Sequence, residues 1–277
     1  MPNVPAPAIK LVLTDIDGTI LPYGHDVVSS RTRAAFHACL DAGIRVGPAS
    51  GRAVSHVAPA FANDVACTAT ALAINGMHVY LDGELIVEKL VDHAGLVHLS
   101  ELLQEMDHAG MVVFDGATPL LVCGDAQDLF QVFPRYASEL GPHLGGVPDQ
   151  PIVKANVFIP GSMEQTRAKL AYIQQQVPEL GFNLPCPGFL NVVPLGWSKA
   201  NGIDALCERL GIGLDQVVVF GDGGNDVEML AHVPHSAAVA DAVPEARAAA
   251  TYVIGSCEDE SVATCLEALA RGAWPFG

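Results

Sequence analysis

The stretch IKLVLTDIDGT, residues 9–19, decides the fold. Residues 9–14 form a compact apolar run, which ends on Asp15 and Asp17, followed by Gly18 and Thr19. A run that is apolar on both faces, rather than alternating, reads as a strand buried on both sides, as in the parallel sheets of α/β proteins. Ligands bind such sheets beyond the carboxyl ends of the strands, which is where these carboxylates fall. Strand geometry alone would point both side chains to one face, and Gly18 indicates that the chain turns there.

Outward from this strand, Ser29 or Ser30 caps a helix running to about Gly43, where glycine suits the position after a helix. A second strand is predicted over 44–50, and a third over 71–74 after another helix. Segments 77–81 and 84–88 flank Asp82-Gly83, a favoured two-residue hairpin turn. The β-α-β alternation to this point indicates a doubly wound sheet. From about 90 to 188 the texture changes. A helix over 93–109 leads to apolar segments 111–114 and 119–123. A helix over 126–138, a strand over 152–159 and a helix from Ser162 follow, together suggesting an α+β insert. After Pro194 alternation returns: helix 198–210, strand 216–220, helix 225–231, strand 235–239, a short helix near 245–249, strand 251–254 and helix 259–270. The expected organisation is an α/β core from 1–88 and 189–277, interrupted by a second domain over 89–188. Residues 1–8, with three prolines, read as a flexible lead-in.

Of the 277 residues, 14 are Lys or Arg and 31 are Asp or Glu, a formal net charge of −17. Such a chain repels a nucleic-acid backbone, whose binding needs Lys and Arg to displace counterions, and an anionic membrane surface likewise. Half of the residues are hydrophobic and only 16% charged, enough for a core and against disorder. The seven cysteines form no C-x-x-C pair, so neither a disulfide framework nor a zinc knuckle is expected, and the histidines show no metal spacing. The uncharged stretch 181–198 contains Pro185, Pro187 and Pro194 and makes a poor membrane helix. The apolar run before Asp15 is too short for a signal-peptide core. A cytoplasmic protein is expected.

Three polar clusters fall at predicted strand ends: Asp15-Ile-Asp17-Gly18-Thr19, Ser50-Gly51-Arg52, and Gly221-Asp222-Gly-Gly-Asn225-Asp226. Lys199 opens a helix shortly before the last. Carboxylates gathered together repel one another unless a cation sits among them. Hard oxygen donors without His or Cys suit Mg²⁺, which favours one or two carboxylates plus substrate phosphate and water. One aspartate of such a pair can attack phosphorus while its neighbour protonates the departing oxygen.

The order D-x-D-G-T, S-G-R, lysine, G-D-G-x-N-D resembles the haloacid dehalogenase superfamily, and more narrowly its Cof-type phosphatases. These carry a C2-type cap domain between the second and third motifs. Asn75-Gly76, Ser198-Lys199 and the late Glu258-Asp259 with Ser261-Val262-Ala263 fit the same layout. The resemblance spans nearly the whole chain and implies a Rossmann-like core with an inserted cap.

It also implies roles. Asp15 would be the nucleophile, forming an aspartyl-phosphate and binding Mg²⁺. Asp17 would be the general acid and then the base, with its backbone carbonyl on the metal. Ser50 would hydrogen-bond the phosphoryl group, and the N–H groups of Asp17 and Gly18 would complete the phosphate cradle. Lys199 would neutralise phosphate and orient Asp15. Asp222 would be a metal ligand, Asn225 a phosphate contact, and Asp226 a partner of metal-bound water or of the lysine. Arg52 would contact substrate or brace the loop through a carboxylate. Ser50 stands where threonine is commoner, Ala200 where glycine is, and Asp241 where asparagine is, adding negative charge near the rim. Pro48 donates no hydrogen bond, which places it at a strand's last residues or at a bulge. Within the cap, Lys154 and Asn156 alternate with apolar residues on a strand and read more simply as structural.

The expected function is Mg²⁺-dependent hydrolysis of a small soluble phosphomonoester, such as a sugar phosphate or a phosphorylated cofactor, through the aspartyl-phosphate. The alternatives are a sugar phosphomutase and a non-enzymatic phospho-aspartate switch or phosphometabolite-binding module. A small-molecule phosphate ester is the expected partner, with no nucleic acid and no membrane.

Overall fold

A computed structural model describes residues 8–276; the expected lead-in lies, but for its last residue, outside them. The chain divides into two compact units, one built from the segments up to Val87 and from Ser198 onward, the other from Glu88–Trp197.

In the first unit, β1 (Leu11–Thr14) is followed by α1 (Ser30–Asp41), β2 (Arg45–Pro48), α2 (Val54–Ala60) and β3 (Ala71–Ala73), then the strands β4 (His78–Leu81) and β5 (Glu84–Glu88). Ser29 caps α1 by accepting the Thr32 N–H. Pro48 is the last residue of β2, where the lost donor costs no ladder bond further along.

The second unit opens with α3 (His93–Gln104), β6 (Gly110–Asp115) and β7 (Thr118–Cys123). It continues through α4 (Ala126–Val132), α5 (Pro134–Ser138), β8 (Ala155–Phe158), α6 (Met163–Gln176), β9 (Leu180–Cys186) and β10 (Phe189–Pro194). Its five strands run in the order β7-β6-β8-β10-β9, every pairing antiparallel. Three expectations change here. The helix predicted over 126–138 is two helices, because Pro134 disfavours helical geometry at Phe133, which sits at φ −141°. The helix predicted to 109 stops at Gln104, and a turn with His108 at φ +53° leads into β6. The return to the core comes at Ser198 rather than 189, because Phe189–Pro194 lies between β8 and β9 in the second sheet.

The first unit resumes with α7 (Lys199–Leu210), β11 (Val217–Gly221), α8 (Val227–His232), β12 (His235–Ala238), α9 (Pro244–Ala249), β13 (Tyr252–Val253) and α10 (Ser261–Ala270). Its sheet has the order β13-β12-β11-β1-β2 and is parallel throughout. Leu11, Val12 and Leu13 are inaccessible to solvent on both faces of the sheet, each contributing roughly 1.5–3 kcal/mol of burial. The non-alternating pattern of β1 follows from that position. All seven cysteines are free thiols, and no helix among the described residues is long and apolar enough to cross a membrane.

Candidate active site

Register brings the motifs together. Thr14 pairs with Phe220 on one side and with Pro48 on the other, and the ladder continues as Asp15 N–H donates to the Phe220 carbonyl and Ala49 N–H to that of Thr14. Asp15 and Asp222, the next residues after β1 and β11, and Ser50, two residues after β2, therefore meet at the carboxyl end of one sheet, the first two some two hundred positions apart in sequence.

Lys199 reaches this end from the first turn of α7. Ser198 caps the helix, accepting the Ala200 N–H while its own N–H donates to Asn201. Gly76 lets the preceding loop approach, since a Cβ there would lie 3.1 Å from the Ser198 carbonyl oxygen and 3.3 Å from the Lys199 Cα. The Lys199 ammonium, wholly buried, donates to Asp15 Oδ1 and to Asp226 Oδ1, each at 2.6 Å. Asp226 Oδ2 accepts the N–H groups of Asp222 and Gly223 at 3.0 and 2.9 Å, so this carboxylate ties the lysine to the loop after β11. Thr19 donates to Asp222 Oδ1 at 2.7 Å, and the Tyr23 hydroxyl lies 3.4 Å from Asp222 Oδ2.

Carboxylate oxygens of Asp15, Asp222 and Asp226 lie within 4.8 Å of one another. Burial, aided by Asp226, pushes the Asp222 carboxyl up to about 7. Burial and the neighbouring carboxylates also raise Asp15 well above the usual range, against the pull of Lys199. Lys199 is held protonated by Asp15 and Asp226, which outweigh its own burial. With three aspartates against Lys199, the cluster carries a surplus of negative charge that a divalent cation would offset.

Not every expected residue joins that cluster. Asp17 is paired with Arg52, whose Nε donates to Asp17 Oδ2 at 2.8 Å and whose Nη2 donates to Oδ1. The Asp17 side chain therefore stands apart from the carboxylate trio, and Arg52 braces a carboxylate as one of its two expected roles had it. Ser50 is buried and its Oγ accepts the Arg52 N–H. Asn225 donates to Asn75 Oδ1 at 3.2 Å, which joins the loop after β11 to the turn after β3. Gly18 departs from expectation: its N–H donates to the Leu21 carbonyl at 2.9 Å rather than remaining available to a phosphate. The glycine is needed on other grounds, because φ is +82° and a Cβ would lie 2.4 Å from Asp222 Oδ2. The contact of Tyr23 with Asp222 has no sequence signal beyond its place four residues after Thr19.

The description "haloacid dehalogenase-like hydrolase" belongs to the family model that matches residues 12–266. The chain is 25% identical over 279 residues to the 5-amino-6-(5-phospho-D-ribitylamino)uracil phosphatase YbjI of Escherichia coli (strain K12), covering 97% of this chain and 99% of that one. It is 24% identical over 292 residues to the phosphatase of the same description, YwtE, of Bacillus subtilis (strain 168), covering 96% and 100%. The solved structure of the subclass IIB sugar phosphatase BT4131 shares the fold, with a TM-score of 0.79 over 93% of this chain and 98% of its own at 19% identity. A family match over nearly the full chain, resting on motifs that the parallel sheet gathers at one end, makes this protein a haloacid dehalogenase-like hydrolase, a Cof-type phosphatase.

Proposed function

We propose that the protein hydrolyses a small phosphate monoester, a sugar phosphate or a phosphorylated cofactor, by transferring the phosphoryl group to Asp15 with Mg²⁺ as cofactor. The observation that carries this proposal is the Lys199 ammonium bridging Asp15 and Asp226, with Asp222 beside them. The donor set is oxygen only, with a surplus of negative charge, and so fits Mg²⁺. Asp15 and Asp222 would hold it, with Asp226 behind them. When bound, it would supply positive charge against the phosphoryl oxygens as negative charge builds there.

The chain's own groups do the rest. Lys199 fixes Asp15 Oδ1, so the other oxygen is the one that attacks phosphorus while the P–O ester bond breaks. Arg52 turns from Asp17 to the incoming phosphate, Asp17 takes up a proton from solvent, and the departing alkoxide takes that proton from Asp17. Water then attacks the aspartyl-phosphate, Asp17 takes up a proton, and inorganic phosphate leaves with Asp15 restored. Ser50, and Arg52 once it has left Asp17, hold the phosphoryl group in this reading. The descriptions of the relatives, a phosphoribityl-uracil phosphatase and a sugar phosphatase, support a small hydroxylated ester.

Phosphate release across a panel of sugar phosphates, nucleotides, pyridoxal phosphate and flavin mononucleotide tests the proposal. Asp15→Asn is expected to lower release about 10³-fold or more with the far-UV circular dichroism retained, and EDTA to do the same to the wild type. Turnover by Asp15→Asn at the wild-type rate would overturn it.

A further inference from the structure

Apart from the carboxylate trio, the first unit gathers three donors of different chemistry that the hydrolytic reaction does not use. His37 lies on α1, Asp64 caps a short 3₁₀ helix over Val65–Thr68, and Cys67 lies within that helix. The Cys67 N–H donates to the Asp64 carbonyl at 3.2 Å. Residues three apart on such a turn stand over one another, so Asp64 and Cys67 share a side, and His37 faces them from α1. The packing beneath is fixed. The Phe36 and Phe61 rings, both inaccessible to solvent, lie 5.3 Å apart between centres and hold α1 against the loop that leads to Asp64.

One donor atom from each residue, an imidazole nitrogen, a carboxylate oxygen and the thiol sulfur, all lie within 4.8 Å of one another. His37 Nε2 is 2.7 Å from Asp64 Oδ2, while Asp64 Oδ1 accepts the Ala66 N–H at 3.2 Å. One oxygen of Asp64 is thus tied to the backbone and the other faces the imidazole. The chain reaches Asp64 through two left-handed residues, Ala62 at φ +55° and Asn63 at φ +59°. For alanine that conformation costs about 1–2 kcal/mol, and strain of this kind gathers at ligand clamps. Cys67 is closed to solvent, whereas the His37 and Asp64 side chains are 47% and 25% exposed, which leaves a way in for an ion.

Thiolate, imidazole and carboxylate are the ligand types of zinc sites, and tetrahedral bonds of about 2.0–2.3 Å set such donors about 3.5 Å apart, within reach of small side-chain rotations. A thiolate selects a borderline-soft ion over Mg²⁺. Burial and the Asp64 carboxylate push the Cys67 thiol up to about 12, against the pull of Arg33, so without metal a proton occupies the sulfur. Arg33, four residues before His37 on α1, has its Nε buried without a hydrogen-bond partner, and its charge favours the thiolate once that forms. We propose that His37 Nε2, a carboxylate oxygen of Asp64 and Cys67 Sγ bind one divalent ion of the Zn²⁺ class, with water in the fourth position. On binding, the Cys67 S–H bond breaks, its proton passes to solvent, and a sulfur–metal bond forms. The ion ties α1 to the segment before β3 and is distinct from the Mg²⁺ proposed at the carboxylate trio.

The test titrates the full chain as wild type, Cys67→Ala and His37→Gln with Co²⁺, in excess Mg²⁺ to keep the carboxylate trio occupied. A thiolate ligand gives Co²⁺ a strong near-ultraviolet charge-transfer band, which oxygen donors do not. The wild type is expected to develop that band saturably, and Zn²⁺ to abolish it by displacement. Cys67→Ala loses the band. His37→Gln weakens Co²⁺ binding about tenfold or more, since even an outer-shell partner of a metal site is worth that much. The absence of a band in the wild type, a band that persists in Cys67→Ala, or equal affinity in His37→Gln overturns the proposal and leaves a surface ion pair above a buried thiol. If Cys67→Ala does not fold, Asp64→Asn, which keeps a capping oxygen for Ala66, takes its place. A loss of affinity of about tenfold or more is then expected, and an unchanged affinity overturns the proposal.

Discussion

Replacing Lys199 by methionine tests the charge arrangement on which the site depends. The ammonium is wholly buried and lies 2.6 Å from each of two buried carboxylates. Removing one member of a buried ion pair costs about 3–5 kcal/mol, because the charge left behind has neither water nor partner. Here two carboxylates are left, and the loss sits at the upper end of that range. For a domain of this size, about 2–4 °C is lost per kcal/mol, so the melting midpoint falls by about 10 °C or more in EDTA at pH 8. The sign of the pH dependence follows. Asp15 already titrates above its unfolded value of about 3.9, and without Lys199 it titrates higher still. An acid whose folded pKa is raised destabilises the fold as pH rises past its unfolded value, so the deficit shrinks at pH 5 as the stranded carboxylates take up protons. Adding Asp226→Asn to the variant removes one stranded charge and recovers part of the loss, a non-additive result that neighbours produce. Urea and thermal unfolding by circular dichroism at pH 5 and pH 8 measure all three effects. A deficit under about 1 kcal/mol at pH 8, or one equal at both pH values, would mean that the trio behaves as an exposed ion pair, and the reasoning fails.

Other consequences follow from the same geometry. With Asp222 titrating at about 7, a proton competes with Mg²⁺, so affinity measured by calorimetry rises with pH up to neutrality and levels off above it; a flat profile between pH 5.5 and 7.5 contradicts this. The metal-free protein loses stability over the interval from the unfolded carboxylate value to about 7, and Mg²⁺ restores it most at the alkaline end. Thr19→Val removes the 2.7 Å hydrogen bond that pulls Asp222 down, so the Mg²⁺ profile moves to higher pH. Gly18→Ala places a Cβ 2.4 Å from Asp222 Oδ2 at φ +82°; a loss of about 1–2 kcal/mol in urea unfolding is expected, with weaker Mg²⁺ binding.

The core and the cluster of carboxylates were legible in the sequence because both are written in local spacing. A fully apolar strand followed at once by aspartates states its burial and its end within eleven residues. Elsewhere, tertiary context decided. The prolines of 181–198 spoke only against a membrane helix and did not reveal the strands there: Pro185 lies in β9, an outer strand of its sheet, where one side makes no ladder bonds and a missing N–H costs little. Pro194 is tolerated as the last residue of β10. The pairing of Asn156 with Asn191 and Asn183 depends on strand register, which composition does not carry. Gly18 was legible as a turn residue, but that its N–H goes to Leu21 and its missing Cβ makes room for Asp222 depends on a strand two hundred residues away.

In the proposed mechanism Asp15 and Asp17, two like residues two positions apart, have different work. Asp15 is the next residue after a central strand, lies under the sheet's carboxyl end, and is fixed by an ammonium that is itself inaccessible to solvent. A lysine on a helix start held by its own capping box cannot follow the substrate, so it serves as a fixed counter-charge. Asp17, two residues further on, faces a guanidinium on the S-G-R loop, with 45% of its side chain exposed. Under the proposed mechanism an incoming phosphate competes for the arginine, and the freed Asp17 carboxylate takes up the proton that it then passes to the departing oxygen. Environments that differ in this way separate nucleophile from acid without any change of side-chain chemistry. Exchanging the two partners, a fixed cation on Asp17 and a mobile one on Asp15, would leave every residue type in place and destroy the division of labour.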